Sequence, residues 1–247
     1  MARNWKKAAI IAGIALAVVA GVISLMIWVI VPAAKYGKAS SLEKQGDAAG
    51  ACDIFDRLGG YRDAAARKAA LRAAAAGSRS AETMEFGGYI WLVLEERDGR
   101  ALLLMRDILE KRPYNEAEGK TSWEACTLRA WLNGAFYNSF GQADRGRIAE
   151  TAVRGSGNRE YRVKAGGDTR DRVFLLSLEE AKLYFTDDAA RVVRGENGRE
   201  AWWWLRSPGF NRYLAAVVTG GGSLGCAGSG VNYYDRGVRP AMWVTAQ

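Results

Sequence analysis

The sequence predicts an α+β domain over residues 82–247, preceded by a separate N-terminal transmembrane helix and a short helical segment. Three observations carry this reading. An apolar run without charges fills residues 8–31, and apolar side chains recur every three or four positions across 36–76. From Phe86 onward strand-like runs and capped helices alternate, ending in aromatic strands separated by Gly-rich loops.

Residues 1–7 hold Arg3, Lys6 and Lys7, and Ala8–Val31 follows with 24 residues and no charge. About 20 apolar residues cross the hydrocarbon core as a helix. Trp5 and Trp28 lie near the two ends, where indoles favour the interface. The rival is a cleaved signal peptide, but such h-regions run only about 7–15 residues. Val31-Pro32-Ala33 is a weak cleavage site. Three basic residues before the run, against Lys35 and Lys38 beyond it, favour a cytoplasmic N-terminus by a modest margin. The expected location is the cell membrane, single-pass, with the main domain extracytoplasmic. Cys52 lies too far past the run to attach a lipid.

Residues 36–58 place Tyr36, Ala39, Leu42, Ala51, Ile54, Phe55 and Leu58 at helical spacing, broken at Gly46. The small residues at the crossing resemble one tetratricopeptide-type helical hairpin. Gly59-Gly60 ends it, and an alanine-rich helix follows over 61–76. One and a half repeats fall short of the roughly three such arrays need, so 36–76 reads as a stiff spacer or a docking surface. Gly77-Ser78-Arg79-Ser80 marks a linker, residues 77–81.

The main domain opens with a strand, Phe86–Leu94, joined to Arg100–Met105 through Asp98-Gly99, whose residues both tolerate positive φ. Thr121-Ser122-Trp123-Glu124 has the form of a capping box opening a helix that buries Leu128, Trp131, Leu132 and Phe136. A short helix is expected over 142–150 and a strand over Arg172–Leu176. Ser177-Leu178-Glu179-Glu180 then caps a helix through Phe185. Trp203–Arg206, Leu214–Thr219 and Val238–Val244 complete the strands, with Gly220-Gly221-Gly222 and similar loops between them.

The ordered blocks Phe86–Trp91, Ile108–Asn115, Trp123–Asn133, Asp171–Ser177, Trp202–Gly209 and Gly237–Trp243 resemble the bacterial surface-domain family known as domain of unknown function 6273, over residues 84–247. The resemblance implies no activity. By analogy with formylglycine-generating enzymes it implies a C-type-lectin-like fold, with an N-terminal hairpin, two or three helices and a Gly-rich C-terminal strand-loop region. The calcium-sugar tripeptides of true lectins, Glu-Pro-Asn and Trp-Asn-Asp, do not occur. Those oxidases hold copper with a close cysteine pair near the C-terminus, where here Cys226 stands alone.

Composition narrows the function classes. The chain of 247 residues carries a net charge of +8 and no histidine. A Ser-His-Asp or Cys-His nucleophile system is therefore impossible within it, and the commonest metal ligand is missing. No cofactor or metal set is called for. The basic surplus fits an anionic neighbourhood of lipid headgroups or wall polymers. Nucleic acid is set aside, because no basic block with interleaved aromatics occurs.

Candidate ligand contacts lie in the C-terminal loops. Trp203 and Arg206 belong to the aromatic strand, Asn211, Arg212 and Tyr213 to the loop after it, and Asn232, Tyr233, Tyr234, Asp235 and Arg236 to the last loop. Tyr, Asn, Arg and Gly make adaptable recognition surfaces. Of the three consecutive tryptophans, at least one must face away from its neighbours, and that exposed ring is the better ligand candidate. The alternative reading gives Trp202, Trp203, Trp204 and Trp243 to the core. Arg206 and Arg239 read as loop buttresses bonded to carboxylates such as Asp235. Cys126 and Cys226 share the domain, and their spacing leaves pairing open.

Three function classes follow. The first is a membrane-anchored, non-catalytic extracytoplasmic domain binding a glycan, cell-wall polymer or protein. The second is a structural or assembly protein docking partners through 36–76. The third is a formylglycine-generating-like enzyme, or one working through carboxylates such as Asp171 or Asp235.

Overall fold

The computed structural model describes Val19, Ile23 and residues 26–77, 82–185, 187–195 and 198–245. Most of the expected transmembrane helix at 8–31 and the expected linker at 77–81, apart from Gly77, lie outside these. Among the described residues no helix is long and apolar enough to cross a membrane. The chain divides into two compact units, Met1–Leu71 and Arg72–Gln247.

In the first unit α1 (Val31–Lys44) and α2 (Ala48–Leu58) form a helical hairpin, followed by the start of α3 (Ala64–Gly77). Gly46 makes the turn at φ 72°, and the Asp47 carboxylate caps α2 by accepting from the Gly50 amide at 2.8 Å. Ala39, Leu42, Ala51, Phe55 and Ala64 form the core, with Tyr36, Ile54 and Leu58 packed on it. The small residues let the helices approach. Arg67 locks the group, donating to Tyr36 Oη (2.9 Å) and Ser40 Oγ (2.7 Å) and pairing with Glu43.

The second unit combines helices with three sheets, so its class is α+β as expected. Its first strand differs from the sequence expectation. Phe86–Leu94 is not one strand, because Gly87 and Gly88 turn back at φ 60° and 80° between β1 (Thr83–Phe86) and β2 (Tyr89–Arg97). The second turn is as expected: Asp98 (φ 49°) and Gly99 (φ 68°) join β2 to β3 (Arg100–Met105). A bulge between Val93 and Glu95 lets both Val93 and Leu94 face apolar surroundings. After β4 (Glu110–Lys111) comes α4 (Thr127–Trp131), continued by a wide turn and α5 (Tyr137–Ser139), then α6 (Gln142–Arg147).

The expected capping box at 121–124 is absent. Ser122 makes no capping bond, and α4 is capped instead by the Cys126 sulfur, which accepts from the Arg129 amide at 3.4 Å. Leu128, Leu132 and Phe136 are buried, whereas Trp131 is only half-buried, under the Arg112 guanidinium.

β5 (Thr151–Val153) pairs with β6 (Thr169–Asp171). The strand expected over Arg172–Leu176 is a buried extended segment with one isolated bridge, Phe174 to Ala241. The Asn133 amide satisfies its backbone, accepting from the Arg172 and Val173 amides and donating to the Val173 carbonyl. α7 (Leu178–Tyr184) carries the expected capping box between Ser177 and Glu180.

β7 (Trp203–Pro208), β8 (Leu214–Val218), β9 (Leu224–Gly230), β10 (Gly237–Val238) and β4 form a sheet ordered β4-β10-β7-β8-β9. β9 lies in a stretch that reads as loop, because its Gly, Ala and Ser carry no strand signal. The run Val238–Val244 is two strands. β11 (Ala241–Thr245) closes the antiparallel sheet β1-β2-β3-β11, while β10 stays with the other sheet. Pro240 breaks the ladder, and the buried Arg239 pins the crossing through the Met105 (2.8 Å) and Arg106 (3.2 Å) carbonyls.

Candidate functional site

Trp203 cannot meet a surface ligand. It and Trp204 are both 0 % exposed, because β7 is covered on both faces. Their indole N–H groups are spent on the Arg191 (3.2 Å) and Arg112 (2.8 Å) carbonyls. The alternation argument fails for the same reason: neighbours on opposite faces are both core. Trp202, just before the strand, is the exposed ring at 40 %.

Arg206 is likewise interior. Its guanidinium forms a two-pronged pair with Glu180 and donates to the Leu175 carbonyl at 2.7 Å. It is a buttress, as expected, but Glu180 supplies the carboxylate. Arg239 makes no ion pair among the described residues; it lies against the Trp203 and Phe185 rings, and burial lowers its pKa to about 9, opposed by the Asp107 charge. Asp235 pairs with Arg236 beside it at 2.6 Å.

The remaining candidates separate into two neighbourhoods. In the last loop the Arg236 guanidinium lies 4.6 Å over Trp202 and 5.7 Å from Tyr233, and Arg236 Nε donates to Ser229 Oγ. Tyr233 and Tyr234 are exposed, and Asn232 is half-buried. In the β7–β8 loop Phe210 and Tyr213 are exposed, Asn211 is half-buried, and the Lys120 ammonium stands 5.7 Å over Tyr213. The buried Asn158 amide holds this loop by donating to the Pro208, Gly209 and Cys226 carbonyls.

Arg212 belongs to a second feature that sequence reasoning missed. It borders a narrow cleft of about 420 Å³, open mouth included, whose lining carries Arg154, Lys164, Arg206 and Arg212 and, among the described residues, no carboxylate. Tyr114, Trp123, Leu214 and Val231 supply its apolar part. Two Gly-bearing loops make one wall. A Cβ on Gly155 would sit 2.5 Å from the Gly166 carbonyl oxygen, so only glycine allows the approach. Asp168 and Glu124 hold these loops from outside the lining by accepting from the Gly155 and Gly167 amides. Arg212 donates to the Ala165 carbonyl at 3.1 Å, and its own carbonyl accepts from the Thr121 amide at 2.9 Å. The concentration of Gly and basic residues over 154–170 is the one local signal, and it does not say which distant loops converge.

Asp171 is saturated, accepting from Trp123 Nε1 (2.9 Å), Thr169 Oγ1 (2.6 Å) and Arg129 Nε (2.6 Å) while 1 % exposed. It organises the fold rather than facing a substrate. Cys126 is a free, buried thiol pushed up to about 12 by burial, and Cys226 is a free, half-buried thiol raised to about 11, chiefly by burial. Tyr114, also buried, is raised well above the phenol range by loss of solvent.

The profile of a family described as a domain of unknown function, DUF6273, matches residues 98–246, more than half the chain. The Phe86–Trp91 block lies outside that match. No curated protein and no solved structure matches the chain.

Proposed function

Starting from the chain's membership of the domain of unknown function 6273 family, we propose that it is a membrane-anchored, non-catalytic binding module whose exported domain takes a glycan, cell-wall polymer or protein. The observation that carries this reading is where the exposed aromatics fall. Among the described residues of the second unit the exposed large apolar side chains are Ile90, Trp202, Phe210, Tyr213, Tyr233 and Tyr234, and all but Ile90 belong to the C-terminal loops. Elsewhere in that unit Trp91, Trp203 and Trp204 are wholly interior. Rings held outward on a rigid sheet offer contact area at low entropic cost. The uncharged run at 8–31 supports the anchor, the α1–α2 hairpin a tetratricopeptide-like spacer. The N-terminal β-hairpin, the helices after it and the Gly-rich C-terminal loops support a C-type-lectin-like fold.

Cell-wall pull-down and glycan-array binding with the full chain in nonionic detergent test the proposal. Tyr233→Ala and Tyr234→Ala should abolish binding with unchanged circular dichroism. A wild-type protein that retains no polymer favours assembly through 36–76 instead. Protease shaving of intact cells should digest the exported domain; full protection would remove the anchored, outward-facing reading.

A further inference from the structure

We infer that Trp202, Tyr233 and Asp235 form a platform for an uncharged, hydroxyl-rich glycan, with Arg236 as its positioning residue. The inference rests on the binding-module reading and narrows it to one ligand chemistry. Two neighbouring strands bring these residues together. β10 runs beside β7, and the Gly237 amide donates to the Trp202 carbonyl at 2.7 Å, which sets the last loop against the start of β7. The Arg236 guanidinium then lies 4.6 Å over the Trp202 ring and 5.7 Å from the Tyr233 ring, so one cation holds both. It is fixed in turn by Ser229 Oγ, 3.1 Å from Nε, and by Asp235 Oδ2, 2.6 Å from Nη1. Tyr233 has a seat of its own. Its amide donates to the Gly230 carbonyl at 3.0 Å, and this tight turn lays the ring on Gly230, where a Cβ would stand 2.8 Å from Cε1.

What stays open to a ligand is specific. Trp202 and Tyr233 are exposed, and the exposed Asp235 carboxylate keeps Oδ1 without a partner among the described residues. An aromatic face attracts the C–H face of a sugar ring by dispersion and through its quadrupole. The free carboxylate oxygen only accepts, so it calls for O–H or N–H donors. A glycan can turn every hydroxyl proton toward it, whereas a peptide sets a carbonyl beside each amide. An anionic polymer is selected against, because Asp235 already neutralises Arg236 and its free oxygen meets a like charge.

The test uses the full chain in a nonionic detergent that carries no sugar and measures affinity for hexamers of β-glucan, α-mannan and chitin, an oligogalacturonate and a glycerol-phosphate oligomer. At least one neutral hexamer should bind, with little dependence on salt. Asp235→Asn should lose roughly tenfold affinity for it and narrow the preference over the uronate. Gly230→Ala touches no ligand, yet its methyl group displaces the Tyr233 ring, and affinity should fall roughly threefold. Arg236→Lys keeps the charge without the planar fork; it should weaken binding and let iodide quench more tryptophan emission as Trp202 is uncovered. Urea midpoints should stay unchanged in all three, which separates loss of the platform from loss of the fold. A neutral hexamer that binds Asp235→Asn and Gly230→Ala as tightly as the wild type overturns the platform, as does the failure of every neutral hexamer to bind. In the second case the binding module survives with another ligand if the uronate, the phosphate oligomer or a cell-surface protein is captured and then lost in Tyr234→Ala. Capture of none of these removes the module as well.

Discussion

Glu180 is the residue whose loss should be felt most widely, because one carboxylate closes two structures. It accepts from the Ser177 amide to complete the α7 capping box and pairs through both oxygens with Arg206, a side chain 5 % exposed. Glu180→Ala leaves that guanidinium buried beside the Leu175 carbonyl without its counterion. Removing one partner of a buried pair costs about 3–5 kcal/mol, and losing a cap costs about 1 kcal/mol. The expected loss is therefore roughly 4–6 kcal/mol, comparable to the whole stability of a marginal domain, about 5–15 kcal/mol. Glu180→Gln keeps a hydrogen-bonding group and should lose about 1.5–3 kcal/mol. Arg206→Met/Glu180→Leu removes both charges, so it should be more stable than Glu180→Ala alone. Urea denaturation followed by tryptophan emission is the assay. Seven of the nine tryptophans lie in residues 82–247, so the signal reports mainly that unit. With a urea slope near 2 kcal/mol/M, the Glu180→Ala midpoint should fall by roughly 2–3 M. A loss under about 1 kcal/mol, or a double variant as unstable as the two single losses combined, would refute the argument.

Three further outcomes are expected. Trp202→Ala should change stability by less than about 1 kcal/mol while lowering polymer affinity, whereas Trp203→Ala should cost about 3–5 kcal/mol; urea titration and pull-down separate the two. Gly222→Ala should cost more than about 2 kcal/mol in the same titration, because Gly222 sits at φ 84° with the Asp188 carbonyl where a Cβ would lie. For Cys126 the unfolded thiol ionises near 9 and the folded one near 12, so the native state holds its proton across that window. Its contribution to stability is thus intact below pH 9 and lost as the pH rises through the window. Cys126→Ala should show a shallower fall in urea midpoint between pH 9 and 11, and native-state alkylation at pH 8 should label Cys226 ahead of Cys126.

Local chemistry was readable wherever a few adjacent residues decide the outcome. Asp98-Gly99 turns the hairpin because both positions take positive φ, and Ser177 and Glu180 close their box within one helical turn. The Tyr36-to-Leu58 spacing names the residues that pack the small helical unit. The α+β class follows from such signals added together. Burial by distant chain is a different matter. Trp203 looks like any alternating strand residue until other chain covers both faces of β7, and only then does Trp202 become the exposed ring. Arg206 finds Glu180 rather than Asp235, and Val238–Val244 divides at Pro240 between two sheets. The cationic cleft depends most on the tertiary structure, since Tyr114, Arg154, Lys164 and Arg212 come together only when four separated loops meet. A sequence records conformational preference over a turn or two; which unlike charges find each other, and which distant loops meet, is settled by packing.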